Sequence, residues 1–138
     1  MSKKERIKDK IKLVTEFIDY LYSIFPKDLE SYKTNITIKS ACERHFEKIM
    51  EACTDIAFLI VRDKGLEMPE DEDSIFYVLA KKNFISSDLA EKLRSAKGMR
   101  NILAHQYGEI DDAKIFNSIE QELEKDINEF IEKIEKVF

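Results

Sequence analysis

The 138-residue chain has few of the residues that break helices: three glycines, two prolines and no tryptophan at all. A β protein of this size needs many tight turns, which glycine and proline most often form. Charged residues make up 37% of the sequence. Because long helices with one exposed face have this composition, we expect an all-α protein.

The sequence also has no excess of positive charge, since 28 acidic and 23 basic side chains give a formal net charge of −5. A protein that coats nucleic acid by neutralising many phosphates needs the opposite balance. Any contact with nucleic acid is therefore expected to be local.

Cysteine and long apolar runs are equally scarce. Cys42 and Cys53 are the two cysteines, and one predicted helix holds them roughly 16 Å apart along its axis, too far for a disulfide. No apolar run reaches the length of about 18 residues that a membrane span needs, and no secretory leader is evident. We expect a cytoplasmic protein with reduced thiols and one domain over residues 1–138.

Apolar residues recur at steps of three and four, which predicts amphipathic helices. The first helix is predicted to end before Pro26, and its apolar positions are Ile7, Ile11, Val14, Ile18, Leu21 and Phe25. Residues 26–35 are predicted to be a loop, because turn-forming residues cluster there. A broadly apolar second helix, residues 36–64, is expected to lie at the centre. Gly65 is placed to take the left-handed conformation that ends it.

Three further helices are predicted in the second half of the chain. A short one covers residues 74–82, and a longer one begins with the capping residues 86–88 and ends at Gly108. The last helix begins at Asp111 and Asp112 and continues to the end. Four long helices and one short helix with ordinary loops predict an antiparallel up-and-down helical bundle.

The strongest functional signal lies at the end of the fourth predicted helix, and it reads Arg100-Asn101-Ile102-Leu103-Ala104-His105-Gln106-Tyr107. A guanidinium can fork onto a phosphate, and an imidazole can give and take a proton near neutral pH. Attack by a ribose 2′-hydroxyl on the neighbouring phosphate needs both functions and no metal ion. Arg100 and His105 are therefore the predicted catalytic residues.

The spacing of these two residues raises a geometric question. In a regular helix they lie about 140° apart around the axis. Both can reach one phosphate if the helix ends or loosens near His105, or if two protomers related by a two-fold axis build the site together. The second arrangement predicts a homodimer. Asn101 is four residues before His105, where its amide is placed to orient the imidazole.

Simpler interpretations exist for the same residues. An Arg-x4-His spacing also arises by chance, and the flanking basic residues Lys92, Arg94 and Lys97 are also typical of a solvated helix face. His45, the other histidine, lies inside the second predicted helix, where a packing role is favoured. We expect no metal and no cofactor, because zinc-type pair spacing and a glycine-rich phosphate loop are both lacking.

The motif resembles the Arg-x4-His-x-Tyr signature of HepT toxins, which belong to the HEPN superfamily. Residues 41–44, 51–57, 65–69 and 84–90 also resemble that family in order and spacing. His45 and Phe46 depart from it. The resemblance implies a homodimeric helical bundle with metal-independent endoribonuclease activity on tRNA or mRNA. Arg100 would bind the scissile phosphate, His105 would act as general acid or base, and Asn101 would position them.

The resemblance also implies a partner, a minimal nucleotidyltransferase antitoxin called MNT, which transfers AMP to the tyrosine of the motif. In this chain that residue is Tyr107, and AMP on it would bring negative charge and bulk next to His105. The chain would then be the toxin of a type VII toxin–antitoxin system. The alternative is a non-catalytic subunit that binds a nucleotide or docks the nucleotidyltransferase. Without the resemblance, Tyr107 is most simply an amphipathic residue that packs against a helix end.

Overall fold

Helices form the regular structure of residues 2–105 and 110–137, the part of the chain that the computed structural model describes, and no strand occurs there. In chain order they are α1 (Lys3–Ile24), α2 (Leu29–Thr34), α3 (Ile36–Asp63), α4 (Ile75–Lys81), α5 (Ser87–His105), α6 (Asp112–Ser118) and α7 (Glu124–Glu135). A 3₁₀ turn, Glu72–Ser74, precedes α4, and a π-helical turn, Ile119–Leu123, joins α6 to α7. The prediction of an all-α bundle is confirmed.

The helix α3 lies at the centre of this bundle, as its apolar pattern predicts. It contacts α1, α2, α4 and α5, and its buried side chains point to more than one side. The helix α1 runs antiparallel to it, because Lys10 pairs with Asp55 near one end while Tyr20 stacks on His45 near the other. Each large apolar side chain buried here contributes roughly 1.5–3 kcal/mol to folding. The largest buried side chains include Tyr32, Phe46, Phe76, Phe130, Ile49, Met50, Ile56 and Ile60.

An asparagine side chain begins α3 and a glycine ends it. The Asn35 side-chain oxygen accepts a hydrogen bond of 3.1 Å from the backbone N–H of Ile38, which caps the first turn. At the other end, Gly65 has φ +66°, and the N–H of Leu66 donates to the carbonyl of Val61 at 2.9 Å. The left-handed Gly65 is as predicted, and a side chain there would be strained whatever the space around it.

The prediction that residues 26–35 form a loop is wrong, because α2 occupies Leu29–Thr34. The turn-forming residues act as caps: Asp28 accepts a hydrogen bond of 2.8 Å from the N–H of Ser31, and Asn35 both ends α2 and begins α3. Tyr32 is fully buried against Phe116 from the far end of the chain. This tertiary packing stabilises a helix too short to be stable alone, and local pattern could not reveal it.

The last helical segment differs from a regular helix at its π turn. The hydroxyl of Tyr22 donates to the carbonyl of Ile119 at 2.5 Å and accepts from the N–H of Glu124 at 3.1 Å. A side chain inserted into the backbone ladder in this way is a known cause of such a turn. Burial raises the pKa of Tyr22 to about 12. The hydroxyl is therefore a neutral donor that ties α1 to the last segment.

None of the helices within the described residues is both long enough and apolar enough to cross a membrane.

Candidate functional site

The helix α5 carries the predicted motif, and its first turn is fixed by Ser86, whose hydroxyl accepts a hydrogen bond of 3.0 Å from the N–H of Leu89. Leu89, Leu93 and Lys97 follow at steps of four and are buried. Arg100 comes three residues later and is half-buried on the same side. The helix therefore directs Arg100 toward the bundle rather than into open solvent.

Lys97 is buried, which corrects the reading of the basic stretch around it as a solvated face. Lys97 is only 5% exposed, and its ammonium lies 2.8 Å from a carboxylate oxygen of Asp73 in the 3₁₀ turn. The hydrogen bond from Lys97 holds the pKa of the Asp73 carboxyl below its usual range. This ion pair anchors the 3₁₀ turn to the middle of α5.

Arg100 makes two polar contacts that leave part of its guanidinium unused. Nη1 donates to the Asn101 side-chain oxygen at 3.1 Å, and Nη2 lies 3.5 Å from a carboxylate oxygen of Glu51 in α3. Among the described residues, the buried Nε has no acceptor. A guanidinium prefers to satisfy its donors on a carboxylate or a phosphate in a planar fork. Arg100 is thus oriented by the protein and retains capacity for an anion.

Asn101 links Arg100 to the Lys97–Asp73 ion pair. Its oxygen accepts from Arg100, while its nitrogen lies 3.5 Å from the Asp73 carboxylate. The amide therefore orients the arginine. A hydrogen bond from Asn101 to His105 stays a prediction.

His105 is the last residue of α5 and is exposed. Since α5 remains helical through this residue, the spacing from Arg100 still corresponds to about 140° around the axis. The arrangement in which the helix ends or loosens near His105 depends on residues 106–109, which lie outside the described residues. Tyr107 and Gly108, the predicted modification site and helix end, lie outside the described residues.

A cavity of about 150 Å³ opens beside Arg100. Its lining includes Lys97 and Arg100 from α5, Glu51 and Phe58 from α3, and Glu72 from the 3₁₀ turn. The described residues contain no group of three or more His, Cys, Asp or Glu side chains placed to hold a metal ion. Of the two cations that line this cavity, Lys97 is paired with Asp73 at 2.8 Å, so Arg100 is the one with donors left to bind an anion.

His45 packs between aromatic rings, as its interior position suggests. Its Nδ1 lies 2.9 Å from the carbonyl oxygen of Ala41, and its ring stacks on Tyr20 with a centroid distance of 4.4 Å.

Sequence reasoning missed Glu51 and Asp73, the two carboxylates that hold Arg100, Asn101 and Lys97. Glu51 lies 49 residues before Arg100, and Asp73 lies 24 residues before Lys97. The one available signal was the position of Lys97 on the same face as Leu89 and Leu93. A lysine at a buried position requires a carboxylate partner.

Replacing Asp73 with Asn is expected to lower the free energy of unfolding by about 1–2 kcal/mol at neutral pH, because it leaves the Lys97 ammonium buried without an opposite charge. The loss is smaller than for a fully buried pair, since the Asp73 side chain is 51% exposed. Urea denaturation measures it. Glu132→Gln, which breaks an exposed ion pair with Lys136, is the control and is expected to change stability by less than about 0.5 kcal/mol.

The pH dependence of this effect has a definite sign. Because the folded state lowers the pKa of Asp73, its ion pair stabilises the protein above the carboxyl's ordinary pKa. That contribution disappears as pH falls through the lowered value. The stability difference between wild type and Asp73→Asn should therefore shrink on acidification; a difference that stays constant would contradict this account of Lys97.

Comparison with known proteins identifies the family to which this chain belongs. Residues 7–134 match the family described as Ribonuclease HepT-like. The chain is 31% identical over 107 residues to the mRNA nuclease HepT of Shewanella oneidensis, covering 78% of this chain and 80% of that protein. It is 25% identical over 113 residues to the tRNA nuclease HepT of Aphanizomenon flos-aquae, covering 82% and 77%. A solved structure of the tri-AMPylated Shewanella oneidensis HEPN toxin, in complex with MNT antitoxin, superposes with a TM-score of 0.88 at 28% identity and covers 94% of this chain and 96% of that one.

Proposed function

Because this chain belongs to the HepT-like ribonuclease family, we propose that it is an endoribonuclease that cleaves RNA without a metal ion, with Arg100 and His105 as its catalytic residues. The proposal depends most on the orientation of Arg100 and on its unused hydrogen-bond donor. Neighbouring side chains orient it beside a cavity, and its buried Nε has no acceptor among the described residues.

In this mechanism Arg100 binds the scissile phosphate. The Glu51 contact of 3.5 Å is long for a charged pair, and the Glu51 side chain is 55% exposed. A phosphate can therefore replace this carboxylate at modest cost. The guanidinium then neutralises the charge that develops on the non-bridging oxygens as the 2′-oxygen attacks. Asn101 keeps the guanidinium plane in position.

His105 moves the proton in this reaction. It removes the proton of the 2′-hydroxyl or delivers one to the departing 5′-oxygen.

The two residues point to different sides of α5, so we propose that they meet across a homodimer. A two-fold axis near the end of α5 would bring His105 of one protomer toward Arg100 of its partner. Ile102, which lies between them in sequence, is 38% exposed and supports a contact surface at this position.

We further propose that a nucleotidyltransferase antitoxin of the MNT type silences the nuclease by transferring AMP to Tyr107. The similarity to a tri-AMPylated toxin bound to such an antitoxin supports this step. Each AMP adds a phosphate close to His105, where it would repel RNA and compete for Arg100. The chain would then act as the toxin of a toxin–antitoxin pair in the cytoplasm.

The decisive experiment is RNA cleavage by the purified protein in the presence of EDTA. We expect cleavage by the wild type and none by His105→Ala, with both proteins folded to the same extent by circular dichroism. Equal cleavage by both would remove the proposal. Absence of cleavage by the wild type, together with nucleotide binding that Arg100→Ala weakens, would instead favour a non-catalytic subunit of the nucleotidyltransferase.

A further inference from the structure

A stripe of basic and apolar side chains runs along α1 on the side that faces α3. Its members are spaced by four, three, four and three residues, which places them on one face of the helix. They are Arg6, Lys10, Leu13, Phe17 and Tyr20. Together with His45 and Lys48 of α3, they form what we call the α1–α3 stripe. Leu13 and Tyr20 are among the exposed large apolar residues, at 39% and 50%.

At the aromatic end of the α1–α3 stripe, the rings pack against one another and form a platform. Tyr20 stacks on His45 with an interplanar angle of 27°, and Phe17 meets the same imidazole edge-on at 6.1 Å. The ammonium of Lys48 lies 5.6 Å from the centre of the Phe17 ring. The Tyr20 ring is supported by His45 and is half-exposed. Nucleobases stack on such rings, and an adjacent cation serves the phosphate.

The α1–α3 stripe is continuous with the site at Arg100. Lys48 lies one helical turn before Glu51, the partner of Arg100, so the platform at His45 is roughly 9 Å from Glu51 along α3. Farther along, Lys10 pairs with Asp55 at 3.1 Å. Asp55 lines both the cavity beside Arg100 and a groove of about 560 Å³. One extended single strand of nucleic acid can therefore contact the stripe and Arg100 together.

The chemistry of the α1–α3 stripe suits RNA better than a second protein. Two cations, Arg6 and Lys10, lie at one end, and Lys48 lies beside the rings at the other. The centre of a protein interface is instead depleted in charge. The carboxylates of Asp9, Asp55 and Glu72 also line the groove, so the local charge is nearly balanced. Stacking rather than charge should then supply most of the affinity, as the net charge of −5 requires.

We propose that the α1–α3 stripe binds the single-stranded RNA next to the scissile phosphate, with one base stacked on Tyr20. This inference rests on the proposed function, because it takes Arg100 and His105 as the point of cleavage. It assigns Tyr20 to substrate binding at a distance from the reacting atoms.

The test is the kinetics of cleavage of a single-stranded RNA oligonucleotide. Tyr20→Ala is expected to raise KM about tenfold and to leave kcat unchanged, because the stacked base contributes to binding before and during the reaction alike. Tyr20→Phe keeps the ring and should behave as wild type. Ile36→Ala removes another exposed apolar side chain, 74% exposed at the start of α3 and outside the stripe, and is the matched control.

Binding is measured separately by fluorescence anisotropy of the same oligonucleotide, labelled with a dye, on the His105→Ala protein with and without Tyr20→Ala. If Tyr20→Ala changes neither KM nor the anisotropy, the α1–α3 stripe does not bind RNA, and the proposed nuclease activity is unaffected by that result. A wild type that cleaves no RNA contradicts the proposed nuclease activity. The anisotropy alone then tests whether the stripe binds RNA. Loss of self-association in Tyr20→Ala with normal RNA binding assigns the surface to a second copy and also overturns the inference.

Discussion

Arg100→Ala should reduce kcat/KM for RNA cleavage by about a thousandfold, because no other group described near the cavity can fork onto the phosphate as its charge develops. Lys97, the other cation lining that cavity, is held by Asp73 at 2.8 Å. Arg100→Lys should recover only a small part of the activity, since an ammonium offers a point charge without the planar pair of donors.

The effect of Arg100→Ala is expected to be on chemistry and not on folding. The ion pair with Glu51 is long and partly exposed, so losing it should cost less than about 1 kcal/mol of stability. Arg94→Ala is the matched control, since Arg94 lies on the same helix and its guanidinium lies 5.9 Å from the centre of the Tyr77 ring. It should cleave RNA at the wild-type rate. A thousandfold loss in Arg94→Ala, or normal cleavage by Arg100→Ala, would contradict the assignment.

AMP on Tyr107, two residues after His105 in the sequence, should reduce RNA cleavage by about a hundredfold, because the added phosphate would repel RNA and compete with it for Arg100. Co-expression with an MNT-type nucleotidyltransferase should raise the intact mass of the protein by whole AMP units. Removing them with a phosphodiesterase should restore cleavage.

Tyr107→Phe separates modification from complex formation. This variant should gain no AMP and remain active after the same treatment, provided that the free proteins are separated before the assay. Tyr20→Phe, which removes the hydroxyl of a half-exposed tyrosine in α1, should be modified and silenced like the wild type. AMP incorporation into Tyr107→Phe at the wild-type level would show that another residue accepts it.

The helical architecture could be predicted from residue spacing because each long helix buries a regular stripe. The apolar pattern of α3 is too broad for a surface helix, and it predicted the central position of this helix. Gly65 predicted where the helix ends. The helix α2 could not be predicted in the same way. Its stability depends on the burial of Tyr32 against Phe116, a residue distant in sequence.

At the site, Arg100 and His105 could be predicted as catalytic residues from the motif. The side chains that contact Arg100 could be found only from the tertiary structure. Asp73 reaches Lys97 and Asn101 only because the 3₁₀ turn packs against α5. Glu51 reaches Arg100 only because α3 crosses the same face. A single sequence carries no local record of such pairs. The buried position of Lys97 was the one sign that a carboxylate had to be nearby.

The central claim is that a guanidinium and an imidazole, without a metal ion, direct the 2′-hydroxyl of RNA onto its own phosphate. The most direct measurement is the chemical identity of the ends that the purified protein leaves on a defined RNA oligonucleotide in EDTA, read by mass spectrometry. We predict a 2′,3′-cyclic phosphate on one fragment and a 5′-hydroxyl on the other. Fragments that end in a 3′-hydroxyl and a 5′-phosphate would mean that water attacks the phosphate, and they would contradict the mechanism.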